Sequence, residues 1–196
     1  IHDTVSQRLT QLQLGDAALC FGRIDREPES PEESMDSFYI GRIAVSDSEQ
    51  EPIIVDWRAP VAEPFYRATG RQPMGLARRR HFATRGRRLL GVEDELFGAT
   101  LASLGMPVGE GTGHTENVVR GQGALFTALE TARTGRLGDI VATIQGEQDE
   151  IIRAPLPGVL VVQGGPGTGK TVVALHRAAY LLYTHRFPLE GQGVLV

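Results

Sequence analysis

Lysine is almost absent from this chain. Of its 20 basic residues only Lys170 is lysine, and all the others are arginine. Cysteine is equally scarce. The lone Cys20 excludes an internal disulfide, and its apolar setting in AALCFGRI makes it buried packing rather than a nucleophile. No run of about 18 apolar residues occurs, so no membrane-spanning helix is expected. His81, His114, His176 and His185 show no ligand spacing with one another or with Cys20, which argues against a zinc site. Ser34 and Ser37 have no His/Asp arrangement that would make either a nucleophile. A formal charge of -4 does not point to a nucleic-acid partner for the chain as a whole. What remains is the composition of an ordinary globular protein, 41% apolar and 22% charged over 196 residues, enough for one or two domains. The chain opens on Ile1 rather than Met and closes on GVLV, which reads as the start of a buried strand. It is therefore expected to be a piece of a longer protein.

The hydrophobic period divides the chain. Ile1, Val5, Leu9 and Leu12 share a helical face, so residues 1–14 read as the end of an amphipathic helix stopped at Gly15. ALCFGRI, SFYIGRIAV and PIIVDW are short β-rich runs between polar turns. The acidic, proline-containing stretch from Asp25 to Asp36 reads as a solvated loop. LARRRHFATRGRRLLGV predicts a hairpin turning near Thr84–Gly86. Residues 15–104 thus form a β-rich unit, and 105–123 a polar, glycine-rich linker. Residues 124–196 change to an α/β pattern. Leu125, Phe126, Leu129 and Ala132 share a helical face. Asp139 is a cap for a second helix carrying Ile140, Ile144, Gln148, Ile151 and Ile152. Ala154–Gly158 breaks that helix. VLVVQ, 159–163, reads as a buried parallel strand, and a further helix is expected from about Thr171 to His185.

Between that strand and that helix lie Gly164, Gly165, Pro166, Gly167, Thr168, Gly169, Lys170 and Thr171. They fit G-x-x-x-x-G-K-[ST] without a mismatch and with both flanks correct. The glycines let backbone N–H groups approach phosphate oxygens with no Cβ in the way. The helix start adds its positive end. The lone lysine then has a reason. A thin stem and compact ammonium fit inside a ring of amides and reach the β- and γ-phosphates, where the wide guanidinium fork would misplace them. Thr171 offers a hydroxyl to Mg²⁺, and Val172 follows at the edge of the same site. ATP with Mg²⁺ is the expected ligand.

Gln148 lies 22 positions before Lys170. Its amide carries both a donor and an acceptor, which matches N7 and the N6 amine of adenine. Its placement resembles the Q motif of superfamily 1 helicases of the UvrD/Rep type. Gln145 is the near competitor for that role.

Longer stretches, YIGRIAVSDSEQEPIIVDWRAPVAEPFYRAT, MGLARRRHF and IQGEQDEIIRAPLPGVLVVQGGPGTGKTVVALHRAAYLLYTHRFPL, resemble HelD-like proteins. DWRAPVAEPFY, Asp56–Tyr66, is the most family-specific part. The arginine-rich composition resembles the actinobacterial branch. The resemblance implies a P-loop (RecA-like) parallel sheet, here incomplete, preceded by the β-rich unit. It implies a cytoplasmic, helicase-like ATPase that binds bacterial RNA polymerase and frees it from nucleic acid, with no need to form an oligomer. Residues 1–14 would then be the end of a coiled-coil arm, and the rest the front of the first motor lobe. The sequence departs from a complete motor in carrying no acidic strand after the glycine loop, so this chain alone is expected not to hydrolyse ATP at a useful rate. A repair helicase or translocase of the same superfamily shares every residue of the ATP site. An AAA-type remodeller often carries GPGTGKT too, though Gln148 argues against it. A fourth reading makes the β-rich unit a docking module beside a dormant nucleotide switch.

Asp56 precedes the loop, the wrong order for a catalytic carboxylate, and is expected to be structural, paired with Arg58. Trp57 and Phe65 are expected in the core. Arg71 to Leu90 holds seven arginines and no acid. It reads either as a patch for phosphates or an acidic partner or as a solvated hairpin face. Alternation places arginine on both faces, Arg79 with His81 on one and Arg80 with Phe82 on the other.

Overall fold

The computed structural model describes residues 18–28, 30, 32, 34–85, 88–97, 140–189 and 193–195. The helix expected over 1–14, the linker at 105–123 and the helix carrying Leu125 lie outside the described residues, as does Asp139.

Six strands form one sheet: β1 (Cys20–Arg26), β2 (Ser37–Gly41), β3 (Val45–Ser46), β4 (Pro52–Asp56), β5 (Leu76–Arg85) and β6 (Arg88–Leu96). Their order across the sheet is β3-β4-β2-β1-β5-β6. All neighbours are antiparallel except β2 and β4, which run parallel with Ile40 opposite Val55. The β-rich runs and the hairpin read from the sequence are present, except that SFYIGRIAV is divided into β2 and β3, which lie on opposite sides of β4. In the hairpin the last pair is Arg85 with Arg88.

Strand β1 buries both Phe21 and Ile24. Positions three apart would face opposite sides of a regular strand. A break in the β1–β2 register between Cys20 and Gly22 resets the alternation. Gly22 is required where it stands, because a Cβ there would lie 2.2 Å from the Phe65 ring. Phe65 comes from APVAEPFYR, in which Pro60 opens a 3₁₀ turn (Pro60–Ala62) and Pro64 sits in the first turn of α1 (Glu63–Arg67). Proline is favoured at such starts because its missing N–H has no intrahelical partner there. The short helix lays Phe65 and Tyr66 onto the sheet, and Phe65 meets Phe21 edge-on at 5.7 Å.

The chain continues through a 3₁₀ turn (Ile140–Thr143) into α2 (Gly146–Arg153), then α3 (Lys170–Thr184) and α4 (Arg186–Leu189). The single helix expected from Asp139 is thus divided. Gln145, extended at φ -81° and ψ 156°, is the N-cap of α2 and forms a capping box with Gln148. Helix α2 ends before Ala154–Gly158 as expected, and α3 lies within a residue of its expected bounds. The strand expected over 159–163 is not formed. These residues take no regular structure, and Val159 and Val161 are 93% and 84% exposed. A parallel strand needs ladder partners on its edges, and none lies beside it among the described residues.

One apolar core joins the two parts. Phe21, Ile24, Ile40, Trp57, Phe65, Leu76 and Phe97 of the β-rich unit cluster with Val141, Ile144, Ile152 and Val173 of the helical part. His81 borders this core, tilted against Phe65 at 4.8 Å and opposite Glu93 across the hairpin. Burial, aided by the Arg79 charge, pushes its imidazole pKa down to about 4. The unfolded chain therefore takes up this proton first. The stability His81 contributes is complete above about pH 6.5 and is lost as pH falls toward 4. His81→Phe is expected to remove that acid-side loss, roughly 2–3 kcal/mol by the size of the shift. Urea midpoints measured near pH 7 and near pH 4.5 check it. An equal acid-side loss in wild type and variant would refute the assignment.

Candidate functional site

The glycine loop turns through two left-handed residues, Gly167 (φ 79°) and Gly169 (φ 83°). Only glycine takes that backbone without strain. Gly169 is the N-cap of α3, so Lys170 and Thr171 form the first turn of a 15-residue helix. The loop is braced on its carbonyl side. Lys170 Nζ donates to Gly164 O at 2.8 Å and Gly165 O at 2.6 Å, and Thr168 Oγ1 donates to Gly165 O at 2.9 Å. Among the described residues, no hydrogen bond takes a donor from the backbone N–H of Gly165, Gly167, Thr168, Gly169, Lys170 or Thr171. Residues 164–168 are exposed, as are Lys170 and Thr171. Unpaired donors at an open helix start form an anion-binding surface. Val172 is half-buried, and its carbonyl meets His176 Nδ1 at 2.8 Å.

The two glutamines touch through the capping box but face different surroundings. Gln148 is half-buried beside the loop, its Nε2 3.2 Å from where a Cβ on Gly169 would lie. Its Oε1 accepts from the backbone N–H of Gln145 at 3.2 Å. An amide oxygen has two lone pairs, so one stays free. Gln145 instead lines a cleft of about 760 Å³ on the other side of α2, with Phe21, Phe65, His81 and Glu147. No residue of the glycine loop borders that cleft.

Three arginines lock this arrangement; of these only Arg58 was singled out in the sequence, as the partner of Asp56, and Arg153 and Arg177 were not. Asp149 on α2 is fully buried and pairs with Arg153 one turn on, at 2.9 Å. Burial pushes its carboxyl up to about 6, against the pull of Arg153. Arg153 also donates to the carbonyls of Trp57 (2.7 Å), Arg58 (3.2 Å) and Ala59 (3.4 Å), binding α2 to the turn after β4. From α3, Arg177 donates to the carbonyls of Ile151, Ile152, Ala154 and Pro155. Arg58 sits over the Tyr183 ring at 4.6 Å, and Trp57 meets His176 edge-on at 5.5 Å. The DWRAP turn thereby touches both helices of the site. An acid and an arginine four apart on a helix was the available signal for Asp149 and Arg153.

Asp56 is structural, as expected. Its carboxylate accepts from Arg58 Nε at 2.8 Å, Nη2 at 2.6 Å and the backbone N–H at 2.9 Å. Trp57 and Phe65 lie in the core. The middle of the basic stretch is neutralised within the sheet. Arg78 meets Asp25 at 2.5 Å, Arg79 pairs with Glu95, and Arg80 holds Asp94 through two bonds of 2.5 and 2.6 Å. Asp25 is itself fully buried. Burial alone would raise its pKa, but Ser37, Arg23 and Arg78 outweigh that and hold it below the usual carboxylate range. Among the described residues no cluster of His, Cys, Asp or Glu could hold a metal ion, and no helix is long and apolar enough to cross a membrane.

Fold and site together define a β-rich unit sharing one core with a helix that opens on a glycine-rich, anion-ready loop. The family model described as DNA helicase IV HelD, N-terminal domain, matches residues 1–109. That is more than half of the 196 residues, and the chain belongs to the HelD family. The match takes in the whole six-stranded sheet and the DWRAPVAEPFY stretch and ends before the glycine loop. A comparison with curated proteins finds no match.

Proposed function

We propose that this chain is the ATP-binding front of a superfamily 1 helicase-like motor, with a RecA-like first lobe, that remodels RNA polymerase. The observation that carries the reading is the loop of residues 164–171: unpaired N–H groups, two left-handed glycines and the only lysine of the chain at a helix start. The residues fit a magnesium nucleotide. Side chains in place of Gly164 and Gly169 would crowd Thr168 and Gln148, at 2.8 and 3.2 Å. Lys170 would exchange its two loop carbonyls for the β- and γ-phosphates. Thr171 would present its hydroxyl to Mg²⁺, which when bound would supply positive charge to offset that of the phosphates. Gln148 would read the adenine edge with Nε2 and the free lone pair of Oε1. The exposed run Val159–Val162 supports the lobe assignment, since an all-apolar segment of this kind is what a central parallel strand presents before its neighbours are added. After Thr171 the chain has one acid, Glu190. The carboxylate, the arginine fingers and the second lobe that hydrolysis needs would come from the rest of a full-length motor.

The test compares ATPase rates of the full-length protein alone, with single-stranded DNA and with core RNA polymerase. Stimulation by polymerase is expected. Stimulation by DNA with no binding to polymerase would favour a repair translocase, which shares the same ATP-site residues.

A further inference from the structure

Helix α2 has only eight residues, too short to hold its own orientation. It is about 12 Å long, and its two ends are fixed by different means. At the start, Gln148 lies against Gly169 of the loop. At the other end four carbonyls, of Ile151, Ile152, Ala154 and Pro155, converge on one guanidinium, that of Arg177, at 2.6 to 3.2 Å. Those of Ile151 and Ile152 are among the last carbonyls of the helix, which a C-terminus leaves short of intrahelical partners. Ala154 and Pro155 follow at and after its cap, and Ile151 O also accepts from the Ala154 N–H at 3.4 Å. Arg177 belongs to α3, the helix whose first turn holds Lys170 and Thr171. It stands two turns from Lys170, about 10 Å along the axis. The helix that would grip the phosphates therefore also holds the far end of the helix that carries Gln148. A hydrogen-bonding amide discriminates between bases only when held within about 0.5 Å of its working position.

We infer that Arg177 is a positioning residue for base selectivity: by clasping the C-terminal carbonyls of α2 it holds Gln148 at a fixed distance from the phosphate loop. The inference rests on the nucleotide reading above and extends it to a residue that touches neither base nor phosphate. The shape of the side chain matters. Nη1 reaches three carbonyls and Nη2 the fourth, and a lysine ammonium at this position would reach fewer of them.

The experiment measures dissociation constants of ATP, GTP and inorganic tripolyphosphate, with magnesium, by calorimetry on the 196-residue chain and on Gln148→Ala, Arg177→Met and Arg177→Lys. Wild type is expected to prefer ATP to GTP by about tenfold, the scale of one bidentate amide–adenine contact. Arg177→Met should lose most of that preference, as Gln148→Ala does, while tripolyphosphate affinity stays within about twofold, and Arg177→Lys should fall between. An unchanged ATP:GTP ratio in Arg177→Met would overturn the inference, as would an equal loss for all three ligands. Where the Met variant does not unfold cooperatively, the Lys variant decides, and a fully retained ratio overturns the inference. A wild type that binds tripolyphosphate but does not distinguish the bases would end the role of Gln148 and this inference while leaving the phosphate loop standing. Binding of none of the three would overturn the nucleotide reading itself.

Discussion

Lys170→Ala is expected to abolish the rise in melting temperature that magnesium ATP gives the wild-type chain. At a ligand concentration 100 times the dissociation constant, binding stabilises the folded state by about 2.7 kcal/mol. For a chain of this length that is a rise of roughly 5–10 °C. The variant removes the only side-chain cation of the loop and the bracing of Gly164 and Gly165. Because Lys170 is exposed, the melting temperature without ligand should move little. Lys170→Arg makes the sharper comparison. It keeps the charge and follows the preference of the rest of the chain, yet it should also fail, because a planar fork does not fit a ring of amides. An unchanged rise in the alanine variant would place the ligand elsewhere. Full function in the arginine variant would leave the survival of one lysine without a physical reason.

The β-rich unit was largely legible because its strands are short, apolar and bounded by turn residues. Period and punctuation place β1, β2, β4 and the β5–β6 hairpin without knowledge of their partners. The order β3-β4-β2-β1-β5-β6 was not legible, since pairing is settled between segments far apart in sequence, as with Ile24 opposite Arg79. The glycine loop and α3 were legible because a left-handed backbone and a helix start demand particular residue types.

Two features lay beyond local reading. The arginines of β5 look like a free basic patch only while β6 is out of view. GVEDEL brings Asp94 and Glu95 directly opposite Arg80 and Arg79, so the charge that sequence shows as a block is dispersed by pairing. The capping of α2 by Gln145 was hidden because glutamine is an uncommon N-cap, and the better capping residue, Asp139, stood six positions upstream.

Arg153→Met is expected to destabilise the chain by about 3–5 kcal/mol near neutral pH, the range seen when one partner of a buried ion pair is removed. Methionine keeps much of the stem and its packing against Tyr180, whose ring lies 5.3 Å from the guanidinium. What it removes is charge and donors. Asp149, fully buried, loses its counter-ion, and the carbonyls of Trp57, Arg58 and Ala59 lose a donor. The loss depends on pH in a direction that follows from burial. In wild type the carboxyl already titrates at about 6, above its ordinary 3.8. A raised acid binds its proton more readily in the folded state than in the unfolded one. Its contribution to stability is therefore complete below about pH 4 and declines as pH rises through 6. Without Arg153 the folded-state value climbs further, so the variant should be hurt most above pH 7 and least below pH 5. Adding Asp149→Asn removes the charge and should restore a good part of the stability at pH 8 and little at pH 4.5. Denaturant midpoints for wild type, both single variants and the double variant at those two pH values measure the coupling. A penalty for Arg153→Met that is the same at both pH values would show that the three carbonyls of the DWRAP turn, rather than the carboxylate of Asp149, are what Arg153 holds in place.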